Sequence, residues 1–158
     1  MQQCFDKLGK IQLNADEKLV MVDSGSFCHA INAATELPDH DVRPVPPSDK
    51  CTESESACGG IIKQHGKVRT RGLVEDQPLD IRWNAMDVKV PILSVRKLVR
   101  DNHNVKFHDR GGHILNLSTR SKNPFFEYQG VYYLKMKILP PDSSSAISES
   151  EPVFNRPV

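Results

Sequence analysis

The sequence predicts a small all-β barrel or sandwich with one short helix. Three observations support this fold class: many short apolar runs, turn signals between them, and a single segment with helical spacing. The 158 residues fit one domain, because domains commonly contain about 100–200 residues. Lysine and arginine total 21 and aspartate and glutamate total 20, which gives a formal net charge of +1. This balance argues against a nucleic-acid-binding protein, since such proteins carry an excess of basic residues.

Runs of apolar and β-branched residues predict the individual strands. Lys10–Leu13 and Lys18–Val22 are joined by Asn14–Asp16, which predicts a hairpin. The later strand candidates are Val68–Arg71, Leu79–Trp83, Asp87–Val90, Asn104–His108, Ile114–Leu117 and Val131–Met136. Only Ser94–Arg100 predicts a helix, because its apolar residues recur at spacings of three and four. Trp83 is expected to be a core or interface anchor.

Composition divides the chain into a domain and a tail. Residues 1–137 form the predicted domain, with a long loop at about 38–57 that is rich in proline and acidic residues. Residues 138–158 are rich in proline and serine and predict a disordered tail or linker. The chain has neither a run of about 18 apolar residues nor a basic start followed by an apolar segment. These features predict an intracellular, cytoplasmic protein without a membrane span.

The most informative segment is Lys18–Ser26, in which an apolar strand leads directly into Asp23, Ser24 and Gly25. A carboxylate at the end of a core strand is costly unless it is paired or hydrogen-bonded. The glycine lets the main chain turn sharply or approach a neighbour closely. An ordinary turn after a strand has the same tripeptide, so the wider context decides between a turn and a catalytic site.

That context resembles the retropepsin-like aspartic proteases of retrotransposons and retroviruses, and above all the copia-type forms. The resemblance covers residues 10–137 and begins in the segment that leads into Asp23. It includes His29, six residues later. It continues through the segments Ala57–Gly66, Asp87–Leu98, Asn104–His108 and Gly130–Leu134. At Ser94 the sequence departs from the family's usual signature, in which two apolar residues are followed by glycine, but it agrees there with the copia-like pattern Leu-Leu-Ser-Val. Ser26 replaces a common alanine.

The resemblance implies a small closed barrel of the retropepsin type and the activity of an aspartic endopeptidase, cut from or embedded in a retroelement polyprotein. It makes Asp23 the catalytic residue, places Ser24 and Gly25 in the active-site loop, and puts Ile92 and Leu93 beneath that loop. Hydrolysis of this kind needs two carboxylates that share one proton. The chain contains one Asp-Ser-Gly, so we expect a homodimer with one Asp23 from each copy.

A flap that closes over the cleft is expected at Gly59 and Gly60, with Ile61 and Ile62 reaching the substrate. An ordinary Gly-Gly turn is the alternative there, and Gly66–Gly72 is an alternative place for the flap. The expected partners are a second copy of the chain and a polypeptide substrate, its own polyprotein, in a retroelement particle or the host cytosol. Neither a membrane, a nucleic acid nor a cofactor is expected to bind.

The cysteines and histidines lack the spacing of a metal site. Cys51 and Cys58 lie seven apart, and neither Cys28, His29 nor His65 supplies a short ligand pair, so we predict no metal. The four cysteines are few and irregularly spaced, which predicts free thiols in a reducing compartment.

Two other functions compete with the protease. A catalytically degenerate module of the same fold would bind peptide or mediate dimerisation without hydrolysis. A nucleic-acid-binding fragment next to a gag region is disfavoured by the near-zero net charge.

Overall fold

The structure, a computed structural model, describes residues 11–44, 53–55 and 61–141. This part of the chain is mostly β, which confirms the predicted all-β class, and it holds two short helices. The helices are α1 (Ala33–Glu36) and α2 (Val95–Arg100). The strands are β1 (Glu17–Asp23), β2 (Ala30–Ile31), β3 (Glu53–Glu55), β4 (Ile61–Thr70), β5 (Gly72–Val74), β6 (Gln77–Pro78), β7 (Ile81–Met86), β8 (Ile92–Ser94), β9 (His103–His108), β10 (Gly111–Asn116), β11 (Lys122–Tyr128) and β12 (Val131–Ile138).

Ten of these strands pair in the order β3-β4-β7-β2-β8-β1-β12-β11-β10-β9, and β5 pairs with β12 and β6. The described sheet is open, with β3 at one end of this order and β9 at the other. No helix among the described residues has the length and apolar character needed to cross a bilayer.

β1 lies in the middle of the sheet, between two strands that are distant in sequence. It pairs antiparallel with β12 and, at its end, parallel with β8. Val20 and Val22 alternate along β1 and are buried, as expected for a strand with one face in the core. The prediction that Lys10–Leu13 forms a hairpin with the following strand is wrong where the structure describes this segment, since Ile11–Leu13 form no strand. β12 takes the position beside β1 instead.

The core gathers side chains from most strands and from both helices. Its fully buried members include Trp83, whose indole Nε1 donates a hydrogen bond of 2.9 Å to the Thr70 hydroxyl. Trp83 is therefore a core residue, and its polar atom is satisfied in the interior. The other buried apolar side chains of this cluster include Ile31, Leu93, Leu98, Ile114, Leu134 and Met136.

Three local predictions need correction. Asp87–Val90 is not a strand, because the chain turns after Met86 on its way from β7 to β8. In this turn the Met86 carbonyl accepts a hydrogen bond of 2.9 Å from the Val88 amide. The predicted loop at 38–57 contains β3. The helix predicted at Ser94–Arg100 is present, but α1 was not expected; it is a single turn whose Asn32 cap accepts from the Thr35 amide at 3.4 Å.

The predicted boundary between domain and tail also moves. Ile138 belongs to β12, pairs with Gly72 and is buried, so the folded part extends beyond residue 137. The Leu139 amide donates to the Arg71 carbonyl at 2.9 Å. Residues 142–158, where the rest of the predicted tail falls, lie outside the described residues, as do residues 45–52 and 56–60 of the predicted loop and flap.

Candidate functional site

Asp23 is the last residue of β1 and is half-buried at the point where the chain leaves the sheet. Its Oδ1 accepts a hydrogen bond of 2.7 Å from the Gly25 amide. A Cβ at position 25 would lie 3.3 Å from the same oxygen, so glycine gives the carboxylate the room it needs. The main chain therefore satisfies one oxygen of Asp23 while the carboxyl group stays accessible to solvent.

Ile92 and Leu93 lie beside the strand that carries the carboxylate. The parallel pairing of β1 with β8 sets Met21 against Ile92, Val22 against Leu93 and Asp23 against Ser94. Leu93 is fully buried, whereas Ile92 is only partly buried. The sequence-predicted support residues and the candidate carboxylate are therefore brought together by one strand pairing.

Ser24 and Gly25 form an exposed turn that continues directly from Asp23. The far end of this turn is held by hydrogen bonds. The Ser26 hydroxyl donates to the Cys28 carbonyl at 2.7 Å, and the Ser94 hydroxyl donates to the Ser26 carbonyl at 2.5 Å. Ser94 thus binds the turn that follows the carboxylate.

A groove of about 490 Å³ opens beside Asp23. One side comes from β1 and its turn, and the other comes from β9 and from the β11–β12 connection. The lining residues are Met21, Val22, Asp23, Ser24, Phe107, Gly130, Val131 and Tyr132. Phe107 is 39% exposed and packs edge-on against Tyr132 with 4.9 Å between ring centroids. Aromatic and aliphatic side chains thus border the carboxylate, which suits a ligand with apolar groups.

The aromatic wall of this groove is a feature that sequence reasoning missed. The alternation in Asn104–His108 predicted the strand and placed Phe107 on one of its faces. No local signal indicated that the β9–β12 segment folds back next to Asp23, because β12 pairs with β1 across more than a hundred residues of chain.

The expected flap residues fall at a hairpin. Gly59 and Gly60 lie outside the described residues, between β3 and β4, while Ile61 and Ile62 are the first two residues of β4. These two residues pair with Glu55 and Ser54 of β3. The alternative flap at Gly66–Gly72 is not supported, because residues 66–70 continue β4 and pair with β7.

The β3–β4 hairpin extends past the neighbouring strand. β4 pairs with β7 only from Gln64 onward, and Gln64 lies opposite Met86, the last residue of β7. The pairs between β3 and β4 all lie beyond that point. A bulge between Gln64 and Gly66 marks the base of this two-stranded ribbon, and bulges of this kind bend a strand and increase its twist.

An ion pair at this bulge was not expected from the sequence. The Nε2 of His65 lies 2.8 Å from Oδ1 of Asp87, and both side chains are largely exposed. The two residues are 22 apart in sequence, so no spacing rule would link them. His65 therefore contacts a carboxylate at the base of the hairpin. Among the described residues, no cluster of three or more histidine, cysteine, aspartate or glutamate side chains has the arrangement of a metal site.

Two further polar side chains near the turn are kept neutral by burial. Burial raises the pKa of the Cys28 thiol, and a hydrogen bond with Asn84 opposes that rise. Burial lowers the pKa of His29 from 6.5 to about 4. Cys28 therefore lacks the thiolate character of a nucleophile, and neither group adds a charge beside Asp23 at neutral pH.

Comparison with protein-family models, curated proteins and solved structures finds no match to this chain.

Proposed function

We propose that the chain is an aspartic endopeptidase of a retroelement polyprotein, with a retropepsin-type fold, that acts as a homodimer. The observation that carries the proposal is Asp23: a half-buried carboxylate that is hydrogen-bonded to the Gly25 amide and lines a groove together with Phe107 and Tyr132. The order of the sequence segments that resemble the copia-type proteases supports the same assignment.

The chemistry of peptide hydrolysis explains why one such carboxylate per chain is insufficient. One carboxylate must accept a proton from the attacking water while a protonated partner donates to the carbonyl oxygen of the scissile bond. The same pair then delivers a proton to the leaving amine. The chain has a single Asp-Ser-Gly, and a two-fold axis beside Asp23 would supply the second carboxylate from another copy.

Exposed groups around the turn support an assembly at this place. Ser24 and Gly25 are exposed directly after the carboxylate, and Phe27 is 61% exposed. In the proposed dimer, the second chain would cover Phe27 and the exposed turn together. In the dimer, Ser24 would brace the two catalytic turns and Gly25 would admit the main chain of the substrate.

The groove and the hairpin have the parts that a peptide-cleaving site requires. The Phe107 and Tyr132 side of the groove would take an apolar side chain of the substrate next to Asp23. The β3–β4 ribbon extends beyond β7 and would serve as the flap. Gly59 and Gly60 fall between its two strands in sequence, and Ile61 and Ile62 begin β4. Closure of such a flap would exclude water from the reacting bond.

The test compares Asp23→Asn with the unsubstituted chain on a peptide library and on a longer precursor that contains the domain. Asparagine keeps the shape of the side chain but cannot carry the shared proton. Cleavage should fall by at least about 10²-fold, the lower end of what acid–base catalysis contributes. The matched control is Asp109→Asn, an exposed carboxyl in the turn between β9 and β10, which should cleave like the parent.

Equal cleavage by Asp23→Asn and the parent would overturn the assignment. Peptide binding or dimerisation by a parent chain that cleaves nothing would favour the catalytically degenerate module instead.

A further inference from the structure

Ser94 joins three elements at the candidate site. It ends β8, caps the first turn of α2, and lies in register with Asp23 across the parallel pairing with β1. Its side chain is completely buried. The hydroxyl accepts from the Lys97 amide at 3.1 Å and donates to the Ser26 carbonyl at 2.5 Å. Ser94 therefore ties the start of a helix to the turn that follows the carboxylate.

His29 in turn fixes Ser94. The pairing of Ala30 with Ile92 is antiparallel, so Cys28 and Ser94 would be the next pair two residues further along. That pair does not form, because the Cys28 carbonyl accepts from the Ser26 hydroxyl and the Ser94 amide donates to Nδ1 of His29 at 2.9 Å. The histidine ring thus replaces a main-chain acceptor at the end of β8.

The ring itself is held firmly. His29 is 3% exposed and packs edge-on against Trp83, with 6.2 Å between the ring centroids. Its own carbonyl accepts from the Asn84 amide at 2.8 Å, which anchors it to β7. The buried imidazole is therefore connected on one side to the core and on the other to the catalytic turn.

We propose that His29 is a positioning residue of the Asp23 site, because it fixes Ser94 and Ser94 holds the turn that orients the carboxylate. This inference rests on the proposed protease function. His29 does not touch the reacting atoms; it acts through two hydrogen bonds in series, His29 to Ser94 and Ser94 to Ser26.

The arrangement works only with a neutral ring. Nδ1 accepts a hydrogen bond from the Ser94 amide, so the proton of the neutral ring must be on Nε2. With a proton on Nδ1, the ring N–H and the Ser94 N–H would both be donors, and the hydrogen bond between them would be lost. The charged groups that face the ring are Lys97 of α2, Asp101 at the C-terminal cap of α2, and His103 of β9. Asp101 favours the charged ring, and Lys97 and His103 oppose it. Burial outweighs them and keeps His29 neutral down to a pH of about 4.

The experiment measures kcat and KM as a function of pH for the full chain and two variants. His29→Leu removes the acceptor, and His29→Asn places a side-chain oxygen close to the position of Nδ1 without a titrating group. Misplaced catalytic groups can cost about 10²-fold in rate, so His29→Leu should lose kcat on that scale with KM little changed. His29→Asn should recover most of that loss. Below a pH of about 4 the parent should lose kcat more steeply than His29→Asn, because only the parent adds protonation of the ring to that of the carboxylates.

A second measurement decides the inference even if no variant cleaves peptide. In the Asp23→Asn background, NMR follows the His29 ring and the amides of Ser94 and Gly25 as the pH falls. The inference predicts that both amide signals shift together with protonation of the ring. The inference would be overturned if the two amide signals did not change when the ring is protonated. It would also be overturned if His29→Leu had the parent's kcat and pH profile. If those signals respond but no chain cleaves, the positioning of the turn stands and the protease function fails.

Discussion

At the scale of single residues, the site depends on side chains that satisfy the main chain of one turn. The Gly25 amide binds the carboxylate of Asp23, and the hydroxyl of Ser94 binds the Ser26 carbonyl. The hydroxyl of Ser94 both caps α2 and binds the turn. Glycine at position 94 could make neither bond.

Burial of His29 makes the stability of the fold depend on pH. The histidine pKa is about 4 in the folded chain and 6.5 for an unperturbed histidine. Between these two values the unfolded chain binds more protons, so the free energy of unfolding falls as the pH drops from 6.5 towards 4. The contribution of neutral, buried His29 to the free energy of unfolding is fully present above pH 6.5 and amounts to about 3 kcal/mol.

Denaturant unfolding of the parent and His29→Asn across this range checks the prediction. The difference between their unfolding free energies should shrink as the pH falls. His108→Asn, a change at an exposed histidine of β9, is the control and should follow the parent. A constant difference between the parent and His29→Asn from pH 7 to 4 would show that His29 is not neutral and buried.

At the scale of elements, the β9–β12 segment builds one wall of the groove and packs three aromatic rings together. Phe107 contacts both Phe125 and Tyr132, with centroid distances of 5.4 and 4.9 Å. This packing leaves Phe107 partly exposed at the groove while anchoring it from behind.

Phe107→Ala should weaken the cleavage of peptides with a large apolar residue beside the scissile bond. Loss of a large apolar contact in a pocket costs about 10-fold or more in kcat/KM, and small-residue peptides should lose less. Leu117→Ala is the matched control, since Leu117 is 36% exposed against 39% for Phe107 and is not among the residues that line the groove. An equal loss for both peptide classes, or for both variants, would remove Phe107 from the substrate site.

Local patterns predicted some elements and could not predict others. The spacing in Ser94–Arg100 predicted α2, and alternation predicted β9. β11 was missed because Pro124 interrupts its pattern; proline lacks an amide proton and rarely occurs inside a sheet. The pairing of β1 with β8 places Ile92 and Leu93 beside the end of the strand that carries Asp23. The His65–Asp87 pair had no signal in the sequence.

At the scale of the whole molecule, the site is assembled by pairings between distant parts of the chain. β1 lies between β8 and β12, and neither neighbour adjoins it in sequence. Composition and periodicity identify strands but carry no information about which strands pair. The all-β class was therefore predictable, while the order of the strands and the groove beside Asp23 required the structure.

The central claim is that two chains share one active site, each supplying one Asp23. The most direct test mixes equal amounts of parent and Asp23→Asn chains, refolds them together, and compares their cleavage rate with the parent at the same total concentration. If chains pair at random and both carboxylates are needed, about one quarter of the activity remains, because only one dimer in four is intact. A parallel mixture with Asp109→Asn should keep full activity. Retention of about one half, as expected for chains that act independently, would contradict the shared site.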